Sequence, residues 1–189
     1  MNIRRKYPMY SLDSDYVEKA RNLSDIKLVI LGKDPYPSGA SNIPFVKDTW
    51  ADLTKDSAGY NVFRSLGGES VQTEYESPKK FVFHLLSRNI VLLNCSYNYL
   101  EKETVSQKNH AFFINTAFDN NLSILERAKR VLMCGGAEKM LSMVAVYDEG
   151  IFEKVPHPSG QSRNGAEDKS AWNKVWSINA LNKAIKSDS

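Results

Sequence analysis

The sequence predicts an α/β protein of three layers, α/β/α, with a central four-stranded, mostly parallel sheet. Three observations carry that expectation. Four apolar runs of strand length, 27–31, 90–93, 130–134 and 151–155, alternate with stretches of helical periodicity. Alternation of this kind builds a parallel sheet with helices on both faces. Each run also empties into polar, Gly- or Pro-rich chain: GKDPYP, NCSYN, GGAEK and PHPSGQS. Finally, 189 residues with 42% hydrophobic and 25% charged side chains suit one globular domain spanning 1–189.

Taken in order, residues 14–22 read as a short helix, with Asp13 or Ser14 as its N-cap. The run 27–31 is the first strand. Residues 46–77 carry no clear period, and SLGGES within them is a loop. The stretch KKFVFHLL, 79–86, is helical, with Pro78 suited to its first turn. After the second strand, Phe113, Ala117, Phe118, Leu122, Leu125 and Ala128 recur at helical spacing and predict a helix over 110–128. Residues 136–146 and 171–185 predict two more. There is no internal repeat and no low-complexity segment.

A net charge of +3 permits a nucleic-acid partner without arguing for one. No apolar stretch approaches the roughly 20 residues of a membrane span. The opening MNIRRKYPMYSLDSDY is basic but lacks an apolar segment behind it, so no secretory signal is expected. Cys95 and Cys134 stand in no CxxC or CxxH spacing, and the histidines are His84, His110 and His157. That set does not suit a four-ligand zinc or iron–sulfur site, and the expectation is two reduced thiols in an intracellular protein.

In an open parallel sheet, ligands bind beyond the carboxyl ends of the strands. Singly, the polar residues there have ordinary explanations. Asp34 before Pro35 suits a turn, Asn94 suits a strand end, His157 sits between two prolines, and Phe45 suits a core. Together they place a carboxylate, an amide and an imidazole at the ends of three strands, with Tyr36 and Phe45 in the first loop. That inventory can grip a flat polar ring: the amide pairs with an edge, an aromatic face stacks, and acid and imidazole act on a bond to it. A Ser-His-Asp hydrolase fits poorly, because no GxSxG turn is present and Ser159 lies too near His157 in sequence.

At these positions the chain resembles a known family. LVILGKDPYP is similar to the VxxGQDPYH water-activating motif of family 1 of the uracil-DNA glycosylase superfamily. VLLNCSYN resembles its LLLN motif, KNHAFF the segment that follows, and VPHPSGQSRNG its HPSPLS motif, in matching order over about residues 22–185. DPYPSGASNIPF, with Pro37 where most members have His, is closest to the poxviral type. The resemblance implies a monofunctional glycosylase that flips uracil out of DNA and hydrolyses its N-glycosidic bond, leaving an abasic site for repair. Asp34 would activate water and stabilise the oxocarbenium-like sugar, and His157 would donate, as a neutral ring, to the departing base. Asn94 would read the uracil edge, Phe45 would stack, Tyr36 would exclude a 5-methyl group, and the Gly32-Lys33 main chain would bind the base. Ser57, Gly135, Ser159, Ser162 and Arg163 would contact DNA, with Gly135-Gly136 equally readable as a plain tight turn. No cofactor or metal is implied, since the leaving group is an acidic imide and the nucleophile is water. The implied partner is DNA, single- or double-stranded, and the implied state a monomer.

The chain also departs from that pattern. Gln161 stands at the wedge position usually held by leucine, and Gly160 replaces a proline, so weaker base extrusion or an altered opposite-base preference is expected. TKDSAG, 54–59, lies where a proline-rich loop is usual, leaving Ser57 as the phosphate contact. The loop 37–44 is shorter, and Lys33 replaces a glutamine. These changes leave open a glycosylase for another modified base, or a DNA-binding replication accessory on the same scaffold.

Overall fold

The computed structural model describes residues 12–36, 41–100, 106–165 and 169–187. Four strands, β1 (Leu28–Gly32), β2 (Ile90–Asn94), β3 (Val131–Cys134) and β4 (Phe152–Val155), form one sheet in the order β2-β1-β3-β4. Every pairing is parallel, with Gly32 opposite Asn94 at the β1–β2 end. Their carboxyl ends therefore lie along one edge. β1, β2 and β3 are buried throughout, whereas β4 exposes Glu153 and Lys154.

The helices are α1 (Ser14–Asn22), α2 (Ala58–Gly67), α3 (Val71–Glu74), α4 (Pro78–Ser87), α5 (Gln107–Leu125), α6 (Ala137–Leu141), α7 (Gly160–Gly165), α8 (Lys169–Trp176) and α9 (Ala180–Ser187). The β1-to-β2 and β2-to-β3 connections cross the sheet in opposite directions, and right-handed crossovers put their helices on opposite faces. Accordingly α5 packs with α6, while α2 packs with α8 and α9, giving the three-layer α/β/α arrangement; α1 packs against both α4 and α5. α4 rests against β2.

Several stretches differ from the sequence expectation. The region 46–77, unassigned from its pattern, contains α2 and α3. α2 is capped by Ser57, which accepts from the Tyr60 amide, and ends at Gly68 with φ +84°. It buries Val62, Phe63 and Leu66. The helix expected over 136–146 ends at Leu141, whose carbonyl accepts from both Val144 and Ala145 and closes the turn. Val146 beyond it is fully exposed and offers no burial to extend the helix. The helix expected over 171–185 is two, α8 and α9. Asn179 between them takes a left-handed φ of +60°, and its amide donates to Arg64 O at 3.0 Å instead of continuing the helix. α5 also begins earlier than residue 110, because the Ser106 hydroxyl caps it by accepting from Asn109 N at 3.4 Å, and it ends at Leu125. No described helix is long and apolar enough to cross a membrane.

Candidate active site

β1 is a central strand, and its end is held like a clamp. Beyond the strand, Cys95 and Ser96 amides donate to Gly32 O and Lys33 O at 2.9 and 3.0 Å, extending the β1–β2 ladder into the loop. A Cβ on Gly32 would lie 2.5 Å from Asn94 Oδ1 and 2.8 Å from Phe45 Cζ. The bare glycine is what lets the amide and the phenyl ring approach the same stretch of backbone. Phe45 is buried and holds a left-handed φ of +65°, a costly conformation for a bulky residue that persists only when its surroundings impose it.

Lys33, Asp34, Tyr36, Phe45, Asn94 and His157 line one cavity of about 210 Å³, closed further by Tyr99, Ala58 and Gly136. The residues named from the sequence as catalytic or base-binding thus meet in one place. Those named for DNA contact do not line it. Ser159 and Ser162 flank it through His157, Ser57 caps α2, and Gln161 and Arg163 are exposed on α7. The Arg163 guanidinium lies over the Trp172 ring at 5.3 Å. Gly135 packs against His157: a Cβ there would lie 2.8 Å from His157 Cβ, and its φ is +55°. Pro37 and residues 38–40 of the shortened loop lie outside the described residues.

Asp34 is largely buried, its side chain 13% exposed. Its Oδ2 accepts from Lys33 Nζ at 3.2 Å and from Leu100 N at 3.4 Å. Burial lifts the carboxyl above its ordinary value, against the opposing pull of the Lys33 ammonium, the Leu100 amide and His110. His157 moves the other way. Burial and the Lys33 charge hold its imidazole below the ordinary value, so the ring is neutral at physiological pH. The Ser159 amide donates to His157 Nδ1 at 3.2 Å, and an amide can only donate. Nδ1 is therefore the acceptor, and the proton of the neutral ring resides on Nε2. Ser159 Oγ sits 3.0 Å from the same Nδ1 and accepts from Ser162 N at 3.3 Å.

Supporting residues outside the sequence-named set fix this arrangement. Trp172 Nε1 donates to His157 O at 3.1 Å, and Trp176 Nε1 to Pro156 O at 2.8 Å. Buried Asn121 on α5 donates to Asn94 O at 3.0 Å and accepts from Tyr97 OH at 2.7 Å. Tyr36 is pinned by the Gly59 amide, which donates to its hydroxyl at 2.7 Å. His110, part of the KNHAFF stretch, has a buried Nε2 without a hydrogen-bond partner among the described residues. The sequence pattern marks the Lys33 main chain and not its side chain. Here its charge bears on Asp34, His110 and His157 together. Its position after β1 was the available signal. Among the described residues, no group of three or more His, Cys, Asp or Glu side chains is gathered to hold a metal ion.

No protein-family model matches the chain, and no curated protein matches it. Among solved structures it is similar to "The WT UNG crystal structure from Nitratifractor salsuginis", at 13% identity and a TM-score of 0.46. That likeness covers 82% of this chain and 71% of the other. At this identity and score it transfers no residue role.

Proposed function

We propose that the protein is a DNA glycosylase that hydrolyses the N-glycosidic bond of uracil in DNA. The observation that carries this is the meeting of Asp34, Asn94, Phe45 and His157 in one cavity at the carboxyl edge of the sheet. Each has a role its geometry suits. A base turned out of the duplex stacks on Phe45 and pairs its O4/N3 edge with the Asn94 carboxamide, an acceptor–donor match that cytosine reverses. The Tyr36 ring, fixed through Gly59, walls the C5 side. Asp34 orients water toward C1′, and its negative charge stabilises the cationic sugar as the bond stretches. The Nε2–H of neutral His157 donates to the base oxygen on which negative charge develops, a preorganised donor aimed at the leaving group.

The experiment is incubation with single- and double-stranded oligonucleotides bearing one uracil, followed by alkali cleavage of abasic product. Parallel substrates carry 5-hydroxymethylcytosine, glucosylated cytosine or hypoxanthine. Uracil excision is expected, with Asp34→Asn cutting it by about 10²–10⁴-fold while DNA binding persists. The amide variant should stay folded, since burial disfavours the carboxylate it replaces. Normal excision by Asp34→Asn removes the assigned mechanism. Excision of another base and not uracil removes the assigned substrate.

A further inference from the structure

We infer that the Lys33 ε-amine is a nucleophile toward the abasic sugar, so that the protein nicks DNA at abasic sites as well as releasing bases. The inference rests on the reading above for where the deoxyribose C1′ lies, and it departs from the monofunctional expectation. Among the described residues that line the cavity, Lys33 supplies the amine. Its Nζ stands 3.2 Å from Asp34 Oδ2, the carboxylate assigned to C1′, so the amine and that carbon share one neighbourhood. The lysine side chain is 32% exposed and reachable from the cavity. Its stem runs beside Gly136, where a Cβ would stand 3.6 Å from Lys33 Cδ.

The chemistry balances without any added oxidant or metal. An abasic deoxyribose opens from hemiacetal to C1′ aldehyde. Lys33 gives one ammonium proton to the Asp34 carboxylate and its nitrogen lone pair bonds to C1′. Loss of water leaves an imine between Nζ and C1′. The imine acidifies the C2′ hydrogen, which passes to water. The C2′–H electron pair becomes a C2′=C3′ double bond, and the C3′–O bond breaks to release the 3′ phosphate. Hydrolysis of the imine then frees the lysine. Burial raises the Asp34 carboxyl from its ordinary value, the direction that helps it take up the first proton.

The test uses an oligonucleotide with one abasic site made by acid depurination, so that no glycosylase step is needed. Sodium borohydride reduces an imine to a stable secondary amine. Wild-type protein with borohydride should give a covalent protein–DNA adduct on denaturing gels, and without it a strand break carrying an unsaturated sugar remnant. Lys33→Arg, which keeps the charge but forms no imine, and Lys33→Gln should lose both, with melting curves confirming that each is folded. A tetrahydrofuran site, which lacks the C1′ oxygen, should give no adduct. Absence of a wild-type adduct overturns the inference, whatever the uracil assay shows. An adduct that persists in Lys33→Arg also overturns it, because another amine is then responsible. An adduct lost with Lys33, in a protein that excises no base, supports the nucleophile and sinks the glycosylase reading instead.

Discussion

At the scale of single residues, the site sets two groups against their ordinary titration. Asp34 is lifted by burial, and His157 is lowered by burial and by Lys33. Catalysis by the proposed route needs Asp34 ionised and His157 neutral. As pH falls, the raised Asp34 is protonated earlier than an ordinary carboxyl at 3.8, so the acid limb moves up from that value. The lowered His157 gains its proton later than an ordinary imidazole at 6.5, so the same limb stays below that value. Single-turnover excision followed against pH should therefore fall off between the two. A limb at 6.5 or above means that neither burial nor Lys33 lowers His157 in the reaction; one at 3.8 or below means that burial of Asp34 has no effect on it.

At the scale of elements, the decisive feature is the last residue of β1. Gly32 closes the strand and leaves room for Asn94 and Phe45 on the same spot. Gly32→Ala puts a methyl group into atoms it cannot avoid, and overpacking of this kind costs about 1–3 kcal/mol. It should also push the amide off its line and depress excision by more than the stability loss explains. Gly136→Ala is the paired control for stability, since its Cβ meets nothing closer than 3.6 Å and should change stability by less than about 0.5 kcal/mol. Thermal melts of both variants, with excision measured on the first, check the contrast. Equal melting temperatures for Gly32→Ala and wild type would remove the clamp from the account.

At the scale of the whole molecule, the sheet has two edges and each is protected differently. β4 carries Glu153 and Lys154 toward solvent, paired with Arg130 at 2.6 Å and Glu138 at 2.7 Å, and charge discourages a further strand from docking. β2 is apolar up to Asn94, and its outer edge is closed by one side chain from α1. The Tyr16 hydroxyl accepts from Leu92 N and donates to Leu92 O, both at 2.8 Å, in a fully buried position. Tyr16→Phe leaves a buried amide and carbonyl without partners, a loss of about 1–3 kcal/mol. For a chain of this size that lowers the melting temperature by roughly 2–4 °C per kcal/mol. An unchanged melting temperature would mean the edge of β2 is satisfied in another way. The tether lies on the strand that ends in Asn94, so the packing of α1 reaches the site through β2.

What was legible in the sequence is what local chemistry dictates. Apolar runs set the strands, alternation set the parallel sheet, and a parallel sheet puts every strand's carboxyl end on one edge. Asp34, Asn94 and His157 followed from that rule, because each stands at the end of a strand or within two residues of it. The break at Asn179, the length of α6 and the existence of α2 were decided by tertiary contacts: Arg64 O claims the Asn179 amide, and the burial of Phe63 and Leu66 selects a helix in a stretch without clear period. Asn121, Trp172 and Trp176 act on the site across 27, 15 and 20 residues of chain, distances at which no local pattern marks a partner. The tautomer of His157 and the approach of the Lys33 ammonium to Asp34 likewise depend on where side chains point. Residue types and their order along the chain determine which groups reach the edge of the sheet. Only packing decides which of them touch, because hydrogen bonds and charges act over a few ångströms in space, whatever their separation in sequence.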